Sequence, residues 1–326
     1  MVRQFLILTL VLATAALVTA QTGTQLVPTG KGWAVQIPAK GLEVAPDLAN
    51  NRGGTVAVAG YVHSGNGIIY HGGPVMHGSP VHVYFIWYGN WTNGPAASDR
   101  QVTVALIDTL FAPTRGMGGS PYFKITTTYG DATGNVSGNL GEVASIRNNY
   151  SRGKNLADAD VRTIVTTAIG EGLPRDSNGI YFVLTSSDVA ESSGFCKLYC
   201  GWHDHTNLLG TDIKYAFVGN PARCPSACEA QSQSPNGDSG GDAMASIMAH
   251  EAVETVTDPD LNAWYDAQGN EVADKCQWKF GPYKTLGGHG AYNETFGTYN
   301  WLLQMQWENT RGGGCDQALG GKFYTK

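Results

Sequence analysis

Cysteine is missing from the first 195 residues of this 326-residue chain, charged side chains make up only 15% of it, and lysine and arginine form no cluster. With 27 acidic residues against 21 basic ones, there is no basic footprint for nucleic acid, which is excluded as a partner. After the first twenty residues no run of about 18 consecutive apolar residues occurs, so no membrane anchor is expected in the rest of the chain. No segment recurs at the period of about 20 to 50 residues that marks a solenoid or propeller.

What is present begins with Arg3, an apolar run from Phe5 to Val18, and Val18-Thr19-Ala20 ahead of Gln21. This pattern predicts a secretory signal peptide over residues 1–20 and a secreted, extracellular product. Residues 21–59, rich in glycine, proline and alanine without a period, read as a loose lead-in; the folded domain is expected over 60–326. All six cysteines, Cys196, Cys200, Cys224, Cys228, Cys276 and Cys315, lie in the second half. An even number in an exported chain argues for three disulfides. Sequence does not choose among the pairings; the local guess joins Cys196 to Cys200, Cys224 to Cys228 and Cys276 to Cys315. The alternative, a zinc cluster of the two Cys-x-x-x-Cys pairs with His203 and His205, loses to the oxidising compartment. Sequons stand at Asn90, Asn135, Asn149 and Asn293, acceptors if a eukaryotic secretory pathway makes the protein.

The apolar run Val81–Tyr88 reads as a buried strand, and residues 99–111 have helical spacing through Val102, Leu106, Ile107 and Leu110. A short strand is expected over Ile125–Tyr129, a helix over Asp158–Glu171 with Val161, Ile164, Val165 and Ala168 inward, and strands over Ile180–Thr185 and Ile213–Val218. Strands alternating with helices make an α/β (α+β) domain. We expect a single three-layer, zincin-like domain with a mixed central sheet and disulfide-stapled loops.

Side chains of catalytic type fall at catalytic spacing in His250-Glu251-Ala252-Val253-Glu254. Asp238, Ser239 and Asp242 can cap a helix, the run from Ala243 to Val253 is rich in helix formers, and Pro259 stops it, which predicts a helix over 240–258. On it His250 and Glu254, at i and i+4, share one face. The pattern is His-Glu-x-x-His with glutamate in place of the second histidine, and carboxylate is an accepted zinc ligand. Glu251 then stands beside the ion as the catalytic base. The third ligand is either Asp274, twenty residues after Glu254, or Asp260, ten after His250. Asp274 is preferred, since Trp264-Tyr265-Asp266 and Glu271–Asp274 around Gln-Gly-Asn read as a hairpin that returns it under the helix. The plainer reading, a helix with a polar outer face, fits poorly, because Ile247, Met248, Ala252 and Val253 surround His250 and buried carboxylates need a compensating cation. His203 and His205 read as a loop pinned by cysteines, or one of them as a further ligand or electrophile.

Several blocks of the chain resemble the EXORDIUM or phosphate-induced protein family. They are Tyr70-His71-Gly72-Gly73-Pro74-Val75-Met76, Val83–Trp91, Ser120-Pro121-Tyr122-Phe123, Val183–Val189, Gly194-Phe195-Cys196 with Cys200-Gly201-Trp202-His203, and Tyr215–Asn220 with Cys224-Pro225. The likeness runs over about residues 60–318. It implies secretion to a cell wall and a link with growth responses, without an agreed activity. Plant members keep a His-Glu pair in the helix but lack the second carboxylate; Glu254, Asp258 and Asp260 make this chain resemble microbial members, for which metallopeptidase chemistry is the natural implication.

The expected function is therefore a secreted zinc metalloendopeptidase, with Zn²⁺ on His250, Glu254 and Asp274 or Asp260, and a peptide or protein substrate. The alternative is a non-catalytic, wall-associated growth or adhesion protein that contacts cell-wall polymers and holds structural Ca²⁺. Calcium prefers oxygen ligands, which leaves His250 unexplained. A glycoside hydrolase using Glu251 and Asp274 ranks last, since it gives the histidine no purpose.

Overall fold

The structure, a computed structural model, describes the backbone of residues 34–36, and residues 65–310 and 312–321. The expected signal peptide and most of the lead-in lie outside the described residues. We label the main elements β1 (Ala34–Gln36), β2 (Val81–Tyr88), α1 (Gln101–Leu110), β3 (Leu140–Asn148), α2 (Asp158–Gly170), β4 (Gly179–Thr185), β5 (Tyr199–Leu208), β6 (Thr211–Gly219), α3 (Pro225–Cys228) and α4 (Ser239–Thr257).

Six strands form one mixed sheet in the order β1-β5-β6-β4-β2-β3. The β3, β2, β4 and β6 strands run parallel, β5 pairs antiparallel with β6, and β1 pairs antiparallel with β5. Strand β4 is buried along its whole length and β2 nearly so, as a strand covered on both faces must be. The chain passes from β2 through α1 to β3, then back across β2 through α2 to β4. Right-handed crossovers in opposite directions place their helices on opposite faces. Phe111, at the end of α1, accordingly packs on Phe85 and Phe182, whereas Tyr84 and Tyr181 stack on the other face. The β5–β6 hairpin turns at Leu209-Gly210, both at positive φ, as a two-residue turn requires.

Helix α4 is the centre of the molecule. Asp238 caps it by accepting a hydrogen bond from the Gly241 amide at 2.9 Å, and it ends at Asp258 ahead of Pro259. Every residue from Met244 to Thr257 is buried. A helix apolar on most sides belongs inside a core, and this one lies between the sheet and the segment that follows it. That segment, residues 258–321, consists of short hairpins tied back by Cys276–Cys315. Among the described residues no helix is long and apolar enough to cross a membrane.

Four local expectations are corrected. Residues Phe123–Thr128 form a 3₁₀ helix, not a strand. The hydroxyls of Thr126, Thr127 and Thr128 each donate to the carbonyl three residues back, which favours a tight turn over a ladder. Trp264–Tyr265 pairs with Ile69–Tyr70, not with residues 271–274, and Asp274 opens a 3₁₀ turn. Two of the guessed disulfides are replaced by Cys196–Cys224 and Cys200–Cys228. Cys224, just ahead of α3, and Cys228, its last residue, bring their sulfurs to one side, 3.7 Å apart, and each bonds to a cysteine at or just before the start of β5. These bridges exclude the cysteine zinc cluster, and loops of this length stabilise by about 4 kcal/mol each. Finally, His203 and His205 stand on strand β5, not in a loop.

Candidate metal centre

Strand β5 and helix α4 run side by side, and the alternate residues Gly201, His203 and His205 share one strand face. Gly201 makes the approach possible. A Cβ there would lie 2.7 Å from Ile247 Cγ2 and 3.0 Å from Glu251 Oε1, so any side chain pushes the strand off the helix. One step along, His203 reaches the helix carboxylates: its Nδ1 is 3.4 Å from Glu251 Oε2 and 3.8 Å from Glu254 Oε2. On the far side of the ring, Nε2 faces Glu271 Oε1 at 3.6 Å.

The same face of the helix also meets the returning chain. Asp258 Oδ1 accepts the amides of Asn262 and Ala263, both at 2.6 Å, and so shapes the turn that sends the chain back toward the helix. Asp274 arrives with its amide donating to Glu254 Oε1 at 2.9 Å. His250 Nε2 then lies 3.1 Å from Glu254 Oε1 and 3.4 Å from Asp274 Oδ1. His250, Glu254 and Asp274 offer ligand atoms that all lie within 4.8 Å of one another, as do His203, Glu251 and Glu254. The structure thus brings together four of the expected site residues, His250, Glu251, Glu254 and Asp274, and adds His203 and Glu271.

Asp260 goes elsewhere. It joins His205 and Asp212 at the end of the β5–β6 hairpin, in a partly exposed group. There Lys214 Nζ lies 2.8 Å from Asp212 Oδ2 and 4.0 Å from Asp260 Oδ1, so a lysine already supplies positive charge. Two residues past the helix end, the turn at Asp258 has carried the chain beyond the reach of His250. Tyr265, on the same returning segment, stacks on His71 with ring centroids 3.6 Å apart.

The central cluster is buried. His250 is 1% exposed, and His203, Glu251 and Glu254 are 0%. Neither ring nitrogen of His250 finds a hydrogen bond, nor do His203 Nε2 and Glu254 Oε2. Burial raises the Glu254 carboxyl above its ordinary range, with Asp274 adding to it, and burial raises Asp274 too. For His250 burial opposes the charged form, but Glu254 and Asp274 outweigh it and hold the imidazole well above its usual range. Unmet polar atoms at this depth cost of order 1–3 kcal/mol each. The donor set of imidazole and carboxylate fits a divalent ion such as zinc, which removes that cost; calcium would want oxygen alone.

Sequence reasoning leaves His203 as one of two histidines open to a role at the site and does not place it, because strand β5 goes unrecognised. The signal was there: Gly201, His203 and His205 alternate with Trp202 and Asp204, a period of two that places both histidines on one face.

Comparison with known proteins gives a consistent lineage. The family model described as phosphate-induced protein 1 conserved region matches residues 68–302. Protein EXORDIUM-like 3 of Arabidopsis thaliana is 33% identical over 280 residues, covering 74% of this chain and 80% of the relative. EXORDIUM-like 5 of the same plant is 32% identical over 250 residues, covering 68% of this chain and 66% of the relative. Protein PHOSPHATE-INDUCED 1 of Nicotiana tabacum is 28% identical over 261 residues, covering 71% and 79%. No solved structure matches.

Proposed function

The chain belongs to the phosphate-induced protein 1, or EXORDIUM, family, and from that premise we propose that it is a secreted metallohydrolase of zincin-like design that cleaves peptide bonds. The observation that supports this reading is the convergence of His250, Glu254 and Asp274 at 3.1 and 3.4 Å from the shared imidazole nitrogen, with Glu251 on the next helical position. His250, Glu254 and Asp274 would hold the cation. When bound, a divalent ion there supplies a Lewis acid that polarises a carbonyl and acidifies water.

The protein's own residues do the rest. Glu251 takes the proton of the attacking water and delivers it to the leaving amine. His203, beside Glu251 Oε2, fixes that carboxylate. The Asp274 amide fixes Glu254. Two carboxylates on the ion neutralise it more fully than histidines do, so modest activity is expected. Three disulfides suit the oxidising setting that secretion implies. The test is hydrolysis of an unfolded protein substrate by the purified protein, abolished by a chelator and restored by zinc; no hydrolysis under any metal loading refutes the reading.

Complete burial of the cluster favours a second reading. A site whose residues are 0–8% exposed suits a structural ion in a non-catalytic wall-associated protein. The same assay separates the two, because a structural ion is retained without turnover.

A further inference from the structure

The two oxygens of Glu254 face different imidazoles. Oε1 lies 3.1 Å from His250 Nε2, and Oε2 lies 3.8 Å from His203 Nδ1. Around the first gather His250, Glu254 and Asp274, and around the second His203, Glu251 and Glu254. One carboxylate is common to both sets. We propose that the centre binds two divalent transition-metal ions bridged by Glu254, the second held by His203 Nδ1, Glu251 Oε2 and Glu254 Oε2. This rests on the metal site of the preceding reading and adds an ion to it.

Distance is the first argument. Tetrahedral zinc with bonds of 2.0–2.1 Å holds neighbouring ligand atoms about 3.4 Å apart. His250 Nε2 to Asp274 Oδ1 and His203 Nδ1 to Glu251 Oε2 are each 3.4 Å, longer than the usual hydrogen bond of about 2.9 Å. Both sets have the spacing of donors arranged about a common point. Ions bridged by one carboxylate stand about 3.5–4 Å apart.

Charge is the second. Glu251, Glu254, Glu271 and Asp274 are all buried in one cluster with His203 and His250. Glu254 Oε2, buried and without a hydrogen bond, faces the second set, and a cation there offsets the cost of burying that oxygen. The third is orientation. A metal-bound imidazole generally turns its other nitrogen to a carboxylate, and Glu271 stands on that side of His203. Glu251 then holds the second ion through Oε2, and its part in proton transfer falls to Oε1, which faces β5 beside Gly201.

The experiment strips the full-length secreted protein with a chelator, reloads it with Mn²⁺, counts bound manganese per chain and records the electron paramagnetic resonance spectrum. Two ions per chain with an exchange-coupled spectrum are expected, falling to one uncoupled ion in His203→Gln. One uncoupled ion in the unaltered protein, kept in His203→Gln and lost in His250→Ala, overturns the second ion and leaves the first site standing. No bound ion in the unaltered protein overturns both.

Discussion

The backbone amide of Asp274 donates to Glu254 Oε1 at 2.9 Å, across twenty residues of chain. A helix residue and a turn residue are locked in register by a main-chain donor, so the side chain of Asp274 has one place to go, beside His250. This contact is why Asp274, rather than Asp260, is proposed as the third ligand.

Replacing Asp274 by Ala is therefore expected to weaken zinc binding on the order of 100-fold or more, whereas Asp260→Ala leaves it unchanged. Competition titration against a chromophoric chelator reads both. Equal losses in the two variants would return Asp260 to the site.

Glu251→Gln keeps the size and burial of the side chain and removes its basicity. Turnover of a peptide substrate should fall about 10²- to 10⁴-fold, with the ion on His250, Glu254 and Asp274 retained. His250→Ala should lose that ion and the activity together. A Glu251→Gln protein with full turnover contradicts the assignment of the base.

Much of this centre was legible in the sequence, and the reasons differ by residue. The helix, its end at Pro259 and the pairing of His250 with Glu254 follow from local rules that need no tertiary context. Asp274 does lie beside His250, but it is carried there by a 3₁₀ segment and not by the expected hairpin arm. The approach of His203 and Glu271 to the helix depends on contacts between distant segments, so the sequence leaves His203 as one of two open possibilities and gives no sign of Glu271. The same limit explains the disulfides: Cys196 and Cys224 come together through the β5–β6 hairpin and the α3 turn. Strand β1 falls in the stretch read as a loose lead-in, and its pairing with the distant strand β5 is what makes those three residues a strand.

Away from the centre, Glu294 gives a pH signature. Burial pushes its carboxyl up to about 9, with Gln317 the opposing influence. A folded-state pKa above the unfolded one means that the folded protein holds the proton more tightly. The stability this contributes is complete below the unfolded value of 4.5 and is lost as pH rises toward about 9, at up to about 1.4 kcal/mol per pH unit. The difference in unfolding free energy between the unaltered protein and Glu294→Gln, measured by denaturant titration from pH 5 to 9, should slope accordingly. A pH-independent difference sinks the prediction.

Of the four sequons, Asn293 is closed to modification in the folded protein. Its side-chain amide donates to the carbonyls of Phe280 and Leu303, both at 2.7 Å, inside the core. Asn149 is exposed. Expression in a eukaryotic secretory host followed by glycopeptide mapping should find glycan at Asn149 and none at Asn293; glycan on Asn293 in correctly folded protein contradicts the packing described here.

The account stands or falls on a bound cation. Elemental analysis of the purified protein by plasma mass spectrometry, beside the Glu254→Ala variant, tests it most directly, because Glu254 belongs to both donor sets. Zinc or another divalent transition ion in the unaltered protein, lost from Glu254→Ala, is the predicted result. No such ion in the unaltered protein, or equal content in the two, would contradict the metal centre and everything built on it.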